Sequence, residues 1–386
     1  MHLMRLLMAV VGFAGLILAA GYAVMAFVAI LAWRTRRAFI DAPRLPPVTV
    51  LKPLCGAEPG LDENLRSFCR QGYPEFQLVF GVRDPCDPAI AVVQRLAGEF
   101  PLMSIDLVVS PQLHGSNFKV NNLINMVARA RYDVLVMADS DTRVGPDYLA
   151  SVVPPLLEGN VGLVTCIYRS TPTARLWSRI GAMYVNEWYV PSVLLAWLFG
   201  HQGYVSGQTL CIRRDTLHAA GGLAAIADQL PEDYRLGERV RGLGLRIVLS
   251  HYMVEAEHHE PDIESLGRHE IRWMRTTRLL RPRSFRWLFI TFSLPLATVC
   301  LNLTTVEAVG PVVAWALFGT TAAARLMLHL VHRPRKGLAL LSDLWLLPVR
   351  DLLLCWAWFR AFSGTHITWR GQEFDVGVDG VMRPLT

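Results

Sequence analysis

The sequence lacks any CxxC pair, and its seven cysteines are scattered and odd in number. This pattern differs from that of a disulfide framework, in which cysteines are usually even in number, and from that of a cysteine-based zinc site, in which they are closely spaced. We therefore expect reduced thiols in a cytosolic domain. Charged residues are also scarce, at 18%, whereas 52% of the chain is hydrophobic. That balance is typical of one globular domain combined with several membrane spans.

A polar stripe of basic residues is absent as well. The net charge is only +6, and the arginines gather beside apolar segments. A nucleic-acid partner is therefore not expected. Anionic lipid headgroups and phosphates fit this placement of arginines better.

No charged residue interrupts the apolar run from Leu6 to Trp33, and no small-residue cleavage site follows it. The run exceeds the roughly 20 residues that a membrane helix needs, and it is too long for the core of a signal peptide. The basic residues that follow are Arg34, Arg36, Arg37 and Arg44. Under the positive-inside rule, residues 1–37 are an N-terminal transmembrane helix with a basic flank, and the next domain is cytoplasmic.

A second apolar region covers residues 286–362 and predicts two to three further spans, which makes a multi-pass protein of the inner (plasma) membrane. Trp287–Val306 and Pro311–Val331 have spanning length, and the basic loop from His332 to Lys336 falls on the cytoplasmic side. Gly337–Phe362 contains Asp343, Arg350 and Asp351. It is either a third span with buried polar groups or a partly interfacial segment, and an Asp–Arg pair between packed helices is an equal explanation. Residues 363–386 form a C-terminal tail.

Apolar runs with strand character alternate with helical patterns over residues 46–285. The predicted strands are Val48–Leu54, Phe76–Val82, Ile105–Val109, Tyr132–Ala138, Val161–Tyr168 and Leu245–Tyr252. The predicted helices are Leu61–Gln71, Pro88–Gly98, Asn117–Ala130 and Pro146–Leu157. This alternation predicts an α/β domain with a mainly parallel sheet covered on both faces. Its ligands should lie at the carboxyl ends of the strands.

Asp139 and Asp141 follow directly after an apolar strand. Alternate residues of an extended segment point to the same side, so these two carboxylates can hold one divalent cation, Mg²⁺ or Mn²⁺. Such a cation accepts diphosphate oxygens in its open positions. A surface turn is the competing interpretation of an isolated DxD. The strand that leads into it favours a site, because carboxylates at the mouth of a buried strand need a partner.

Two further residues are candidates for donor binding. Asp84 ends another strand, where it is either a turn residue before Pro85 or an acceptor of hydrogen bonds from a nucleotide. Lys119 lies near a helix start, where it is either a solvated residue or a contact for donor phosphates.

Glu232 and Asp233 open a helical run and include the candidate for a general base. Acidic residues suit a first helical turn through the helix dipole alone. The functional interpretation makes Asp233 the base that removes the proton from an acceptor hydroxyl.

The last candidates lie on the arginine-rich stretch around His269, Arg272 and Trp273. A cationic face resting on lipid headgroups explains the later arginines. In the functional interpretation, the Arg272 guanidinium binds the donor diphosphate and the Trp273 indole lies beside the acceptor. His258 or His259 can complete a metal site, although a hydrogen-bonded or solvated histidine is the more common case.

Four ordered motifs resemble glycosyltransferase family 21, the family of ceramide glucosyltransferase-like enzymes. They are Asp84, Asp139-Ser140-Asp141, Glu232-Asp233-Tyr234 and Arg272-Trp273. Further segments, such as Leu51-Lys52-Pro53 and Asn117-Phe118-Lys119, extend the resemblance over nearly the whole chain. Within the family, the phrases Glu58-Pro59-Gly60-Leu61 and His114-Gly115-Ser116-Asn117 look most like the hopanoid-associated glycosyltransferases of bacteria.

The resemblance implies a GT-A fold, a UDP-sugar donor, a divalent metal and inversion at the anomeric carbon. By position, Asp84 would bind the nucleotide, Asp139 the metal and diphosphate, and Asp233 would be the base. Arg272 and Trp273 would serve donor and acceptor, whereas His269 departs from the Gln or Arg of the motif.

Two lipid acceptors stay open at this point. The hopanoid branch implies transfer of N-acetylglucosamine to bacteriohopanetetrol, and it is the interpretation we prefer from sequence. The ceramide branch implies transfer of glucose to ceramide. A catalytically silent, nucleotide-binding membrane protein is a competing hypothesis from a different class, and a processive polysaccharide synthase is a weaker one.

Overall fold

A computed structural model describes residues 2–36, 45–173, 175–304, 310–332, 343–369, 372–377 and 379–385. The chain divides into two units, and each is made of three separate segments. We call Met1–Thr35, Ala174–Gly200 and Glu260–Thr365 the helical unit. We call Arg36–Thr173, His201–His259 and His366–Thr386 the sheet unit.

Eight strands form the main sheet of the sheet unit, in the order β3-β2-β1-β4-β7-β6-β8-β5. Their bounds are β1 Val48–Pro53, β2 Phe76–Val82, β3 Ser104–Val109, β4 Val134–Met137, β5 Thr142–Arg143, β6 Val161–Pro172, β7 Leu210–Arg213 and β8 Arg246–His258. The pairs β1/β2, β2/β3, β1/β4 and β6/β8 are parallel, whereas β7 pairs antiparallel with β4 and β6, and β5 with β8. The predicted mainly parallel sheet is therefore confirmed.

The helices of this unit are α2 Leu61–Cys69, α3 Ala89–Glu99, α4 Phe118–Val127, α5 Tyr148–Val152, α8 Arg214–Ala219 and α9 Glu232–Gly242. They bury both faces of the sheet. Val50 and Leu51 are neighbours in β1, yet they belong to two different apolar clusters, because successive strand residues point to opposite faces. This explains why the strands read as continuous apolar runs.

Two predicted elements differ from the structure. The single helix expected over Pro146–Leu157 is split into α5 and a 3₁₀ turn, Pro154–Leu157. Pro154 and Pro155 have no amide N–H to donate to the preceding turn, so the α-helix stops before them. The strand expected over Leu245–Tyr252 continues to His258 because it pairs along its length with β6.

The C-terminal segment, predicted only as a tail, forms a second sheet. Its strands are β9 His366–Trp369, β10 Gln372–Val376 and β11 Met382–Pro384, all antiparallel. An additional bridge pairs Gln229 with Val381. This second sheet therefore belongs to the sheet unit, although residues 260–365 of the helical unit lie between it and the main sheet in the sequence.

The helical unit contains α1 His2–Arg34, α6 Leu176–Tyr184, α7 Val190–Leu198, α10 Ile263–Leu280, α11 Pro282–Arg286, α12 Ser293–Thr304, α13 Pro311–His332 and α14 Leu346–Arg360. A π-helical turn, Val185–Tyr189, joins α6 to α7. Among the described residues, His2–Arg34 and Pro311–Val331 are long and apolar enough to cross a membrane. The span expected over Trp287–Val306 is a 3₁₀ turn, Leu288–Thr291, followed by the shorter α12. The predicted basic loop at residues 332–336 lies almost wholly outside the described residues.

Arg350 and Asp351 of α14 pair with residues of other helices, and the pair of Asp351 with Arg325 confirms the expected Asp–Arg pair between packed helices. Asp351 binds Arg325 of α13 at 3.0 Å, and Arg325 also binds Glu187 at 2.7 Å. Arg350 forms a buried ion pair with Glu270 of α10. Buried charges persist in an apolar setting only when they are paired in this way.

Small residues line the face of α1 that packs on α12 and α13. Gly12 and Gly15 lie directly against Cys300, so that a Cβ atom added at Gly12 would be 2.8 Å from the Cys300 carbonyl oxygen. Small residues at such helix contacts allow the close approach that stabilises helix pairs in membranes.

We predict that Gly15→Val lowers the thermal stability of the detergent-solubilised protein, because the new side chain overlaps Cys300. Overpacking of this kind costs about 1–3 kcal/mol. The matched control is Gly21→Val on the same helix, where nothing lies within 4 Å of the new Cβ atom. Equal melting temperatures for the two variants would show that the close approach is unimportant.

Candidate active site

The Asp139-Ser140-Asp141 segment leaves the sheet at the carboxyl end of β4. β4 lies between β1 and β7 near the middle of the sheet, and the Ala138 N–H donates to Leu51 O at 3.1 Å. The Lys52 ammonium at the end of β1 donates to the carbonyl oxygen of Asp139 at 2.6 Å. The chain therefore turns outward at the edge where ligands of parallel sheets bind.

Lys119 connects two carboxylates at this edge. Its ammonium lies 2.5 Å from Asp139 Oδ1 and 2.7 Å from Glu232 Oε1. Burial alone would lower the pKa of Lys119, but the negative charges of Asp139, Glu232 and Asp233 outweigh it and raise the pKa. Lys119 is therefore held as a cation, and the interpretation as a solvated helix residue is wrong.

The position of Lys119 follows from the start of α4. Asn117 is the N-cap of this helix, and its Oδ1 accepts a hydrogen bond from the Val120 N–H at 3.1 Å. Asn117 is a favourable capping residue because its side chain replaces a missing helical acceptor. The cap places Lys119 in the first helical turn.

Asp233 lies in the first turn of α9. Its Oδ2 accepts from the Gly207 N–H at 2.8 Å, and its Oδ1 accepts from the Tyr234 N–H at 2.6 Å. Burial raises the pKa of Asp233 to about 7, with a further contribution from the nearby charge of Glu232. Its carboxyl group can therefore exchange a proton near neutral pH.

Gly207 separates Asp233 from Asp139. A Cβ atom at Gly207 would lie 3.0 Å from Asp139 Oδ2 and 2.6 Å from the Lys119 ammonium. The structure thus brings Asp139, Lys119 and Asp233, which are far apart in sequence, to one place.

Asp141 carries a second carboxylate, close enough to Asp139 to be affected by its charge. Its Oδ1 is buried and, among the described residues, has no hydrogen-bond partner. Burial raises the pKa of Asp141 to about 7, with further contributions from Asp139 and Glu58. A buried carboxylate oxygen without a donor, beside a second carboxylate, fits a hard divalent cation such as Mg²⁺ or Mn²⁺.

Three contributors to the site were not assigned a role from the sequence: Lys52, Glu232 and the amide of Gly207. Lys52 is fully buried at the end of β1, and burial lowers its pKa to about 7. The signal that could have identified Lys52 is a lysine inside an otherwise apolar strand, because lysine is rarely fully buried unless it is paired. Glu232 and Gly207 carry no comparable local signal.

Asp84 lies two residues after β2, the strand beside β1, and among the described residues it is not an ion-pair partner of Lys119. It is exposed, and its Oδ1 accepts from the Cys86 N–H at 2.8 Å. This is the geometry of a turn residue before Pro85. Its nucleotide-binding role stays a prediction.

Arg272, Trp273 and His269 belong to α10 of the helical unit. His269 Nδ1 lies 2.7 Å from Glu260 Oε1, and its ring centroid is 4.1 Å from that of Trp273. Trp273 in turn packs on Tyr184 at 5.2 Å. In the sheet unit, His258 ends β8 and His259 follows it. The functional roles of these residues stay predictions.

The fold is that of the GT-A glycosyltransferases. The mannosyltransferase PcManGT from Pyrobaculum calidifontis superposes with a TM-score of 0.55 and 18% sequence identity, covering 92% of this chain and 99% of that one. This similarity concerns the fold alone.

Sequence comparison then defines the family. A model of glycosyl transferase family 21 matches residues 13–382, so the chain belongs to this family. It is 27% identical to ceramide glucosyltransferase 1 of Caenorhabditis elegans over 54% of this chain and 45% of the relative. It is 31% identical to the ceramide glucosyltransferase of Candida albicans over 32% of this chain and 25% of the relative. The matched segments span about half or less of these relatives, and they give no support to the predicted hopanoid branch.

We predict that Mn²⁺ raises the melting temperature of the wild-type protein relative to EDTA, because a cation relieves the repulsion between Asp139 and Asp141. Asp141→Asn should lose this stabilisation, while Asp133→Asn, whose side chain is 91% exposed, should keep it. Thermal unfolding with both additions measures the effect. Equal Mn²⁺ stabilisation of all three proteins would remove Asp141 from the metal site.

Proposed function

We propose that this chain is an inverting glycosyltransferase that transfers a sugar from a UDP-sugar to the hydroxyl group of a membrane lipid. The observation that carries the proposal is the cluster around Lys119. Two possible metal ligands, a fixed cation and a carboxyl group with a pKa of about 7 converge there at the carboxyl edge of the sheet.

The donor diphosphate would bind between the cationic and metal-binding groups. Lys119 is a permanent positive charge, and Lys52 lies close behind Asp139. Asp139 and Asp141 would hold Mg²⁺ or Mn²⁺, and a bound cation would neutralise charge on the departing UDP. The fold neighbour PcManGT is described in complex with GDP-mannose and Mn²⁺, which is consistent with this arrangement.

Asp233 would act as the general base. It accepts the proton of the lipid hydroxyl while that oxygen bonds to the anomeric carbon and the bond from this carbon to the diphosphate breaks. The N–H groups of Gly207 and Tyr234 fix the carboxylate from the protein side. A direct displacement of this kind inverts the anomeric carbon.

The remaining predicted residues keep the roles that the family resemblance implies. Asp84 would bind the nucleotide, Arg272 the donor diphosphate, and Trp273 the acceptor. His269 and Tyr184 hold the Trp273 ring by aromatic packing, which supports a fixed indole surface.

We favour ceramide as the acceptor and glucose as the sugar, because the relatives are named ceramide glucosyltransferases. An apolar helix long enough to cross a bilayer also fits a lipid acceptor. The hopanoid polyol with N-acetylglucosamine is retained only as an outcome of the test.

The test is an acceptor panel. Purified protein in lipid nanodiscs is incubated with Mn²⁺, either UDP-glucose or UDP-N-acetylglucosamine, and either ceramide or bacteriohopanetetrol. Mass spectrometry of the lipid identifies the product. We expect hexosylceramide, with a rate that falls below about pH 7 as Asp233 becomes protonated.

Asp233→Asn should lower the rate about 10²- to 10⁴-fold, the usual contribution of a general base, while UDP binding is retained. Asp215→Asn, whose side chain is 77% exposed, is the control with the same chemical change. Full activity of Asp233→Asn would refute the base. UDP binding without any lipid product in the wild type would favour the silent membrane protein.

The division into units also supports a membrane topology. His259 and His366 both belong to the sheet unit, and an even number of crossings between them would keep that unit on one side of the bilayer. We assign one crossing to α13, which has spanning length, and the other to residues 288–304, the 17 residues that contain the 3₁₀ turn and α12, because α12 and α13 both pack on α1. α14 then lies at the membrane surface, and the C-terminus is on the cytoplasmic side with the sheet unit.

This topology predicts opposite labelling of two positions in a cysteine-free background. Val312→Cys lies at the start of α13 and is 80% exposed, and Leu385→Cys follows β11 and is 39% exposed. A membrane-impermeant maleimide should reach position 312 from outside intact cells and position 385 only in inverted vesicles. Labelling of both positions from one side would contradict the two crossings.

A further inference from the structure

Residues 227–231 form a short connection that is bonded on one side to the start of α4. Asn117 N–H donates to Ala227 O at 2.8 Å, and its side-chain amide donates to Gln229 O at 2.7 Å. Ser116 N–H donates to the Asp228 carboxylate at 2.7 Å. The helix that carries Lys119 is thereby tied to the connection that leads into α9.

On its other side, the same connection is bonded to the C-terminal sheet. Met382 N–H donates to Asp228 O at 2.8 Å, and Leu230 N–H donates to Gly380 O at 2.9 Å. Arg235, one turn into α9, donates to the carbonyl oxygen of Asp379. Residues 380–382 thus pair with residues 228–230 in the manner of two short antiparallel strands.

This double attachment matters because α9 has no side-chain cap. Its N-cap is Pro231, which makes no capping hydrogen bond. Helix starts are usually fixed by a capping side chain. The direction of the first turn of α9, and with it the orientation of Asp233, is therefore set by contacts from outside the helix. These contacts are the ion pair of Glu232 with Lys119, the Gly207 N–H and the connection before the helix.

Apolar packing holds the C-terminal sheet in place. Phe374 of β10 is completely buried, and its ring lies 6.3 Å from that of Phe118, the first residue of α4. Met382 of β11 is only 1% exposed. The C-terminal sheet therefore contacts the helix of Lys119 and the connection to the helix of Asp233.

We propose that the C-terminal hairpin, residues 372–377 and 379–385, is a positioning element that orients Asp233 toward the acceptor hydroxyl. This inference rests on the proposed function, because Asp233 is the base only if the chain is a glycosyltransferase. The hairpin residues act through residues 227–231 and need not touch either substrate.

The test uses the full-length protein and Gly380→Ala. Gly380 has φ +81°, and an added Cβ atom would lie 3.0 Å from Gln229 Oε1 and 3.4 Å from Pro231 Cδ. The control is Gly244→Ala in the same unit, with φ +77° and nothing within 4 Å of the new Cβ atom. Both substitutions strain a left-handed residue, but only Gly380→Ala places a new atom against Gln229 Oε1, which accepts a hydrogen bond from Arg235 Nε at 3.3 Å.

We expect Gly380→Ala to lower kcat about tenfold, since small displacements of a catalytic group are costly, while the UDP dissociation constant stays within about twofold. Gly244→Ala should match the wild type in both. A purely structural role for the hairpin would instead lower the amount of folded protein and leave the kcat of the folded fraction unchanged.

A milder pair of variants covers the case in which Gly380→Ala does not fold. Arg235→Gln removes the bond to Asp379 O from a partly exposed side chain, and Arg235→Lys should restore part of the lost kcat. Glu238→Gln controls for the ion pair that Arg235 also makes. Equal kcat for Gly380→Ala and Gly244→Ala, or for Arg235→Gln and Glu238→Gln, overturns the positioning role. An inactive wild type overturns the proposed function instead.

Discussion

Lys119 carries its charge in a place that is largely shielded from water, and the carboxylates of Asp139 and Glu232 make this possible. A buried ammonium without partners would lose its proton, whereas one between two carboxylates keeps it. The pairing also joins three structural elements: the start of α4, the exit from β4 and the start of α9. The geometry of the site depends on this one interaction.

Around that ion pair, burial and the charges of neighbouring groups together shift the pKa values of several residues of the sheet unit. Burial raises the pKa values of Asp233 and Asp141 toward neutrality, and it lowers the pKa of Lys52 toward the same range. Residues of opposite charge thus have similar pKa values in one small region. Such perturbed groups in a cluster are typical of sites that bind charged ligands or move protons.

The sequence was sufficient for the elements whose signals are local. The strands around Val50, Val79 and Val136 were predictable because both sides of each strand are buried, which leaves continuous apolar runs. The Asp139–Asp141 pair was predictable because the two carboxylates are two residues apart and directly follow an apolar strand in the chain. The family resemblance, rather than any local pattern, assigned Asp233 to the same site.

Interactions between distant residues were beyond such signals. The contact of Lys119 with Glu232 and the bond from Gly207 to Asp233 join segments that only the fold brings together. Likewise, an Asp–Arg pair was expected for α14, but the sequence could not identify Arg325 of α13 as the partner of Asp351 or Glu270 of α10 as the partner of Arg350. The C-terminal hairpin was missed because its strands are short and polar, and its pairing partner, Gln229, precedes it by most of the helical unit.

The interleaving of the two units imposes an order on biosynthesis. The sheet unit receives its last strands from His366–Thr386, after the helices of the helical unit have been translated. In the proposed topology, membrane insertion of α12 and α13 must therefore precede completion of the sheet unit at the ribosome. A nascent chain stalled before His366 would lack the residues that bond to the connection before α9. Under the proposed positioning role, such an unfinished chain would therefore be anchored in the bilayer and inactive.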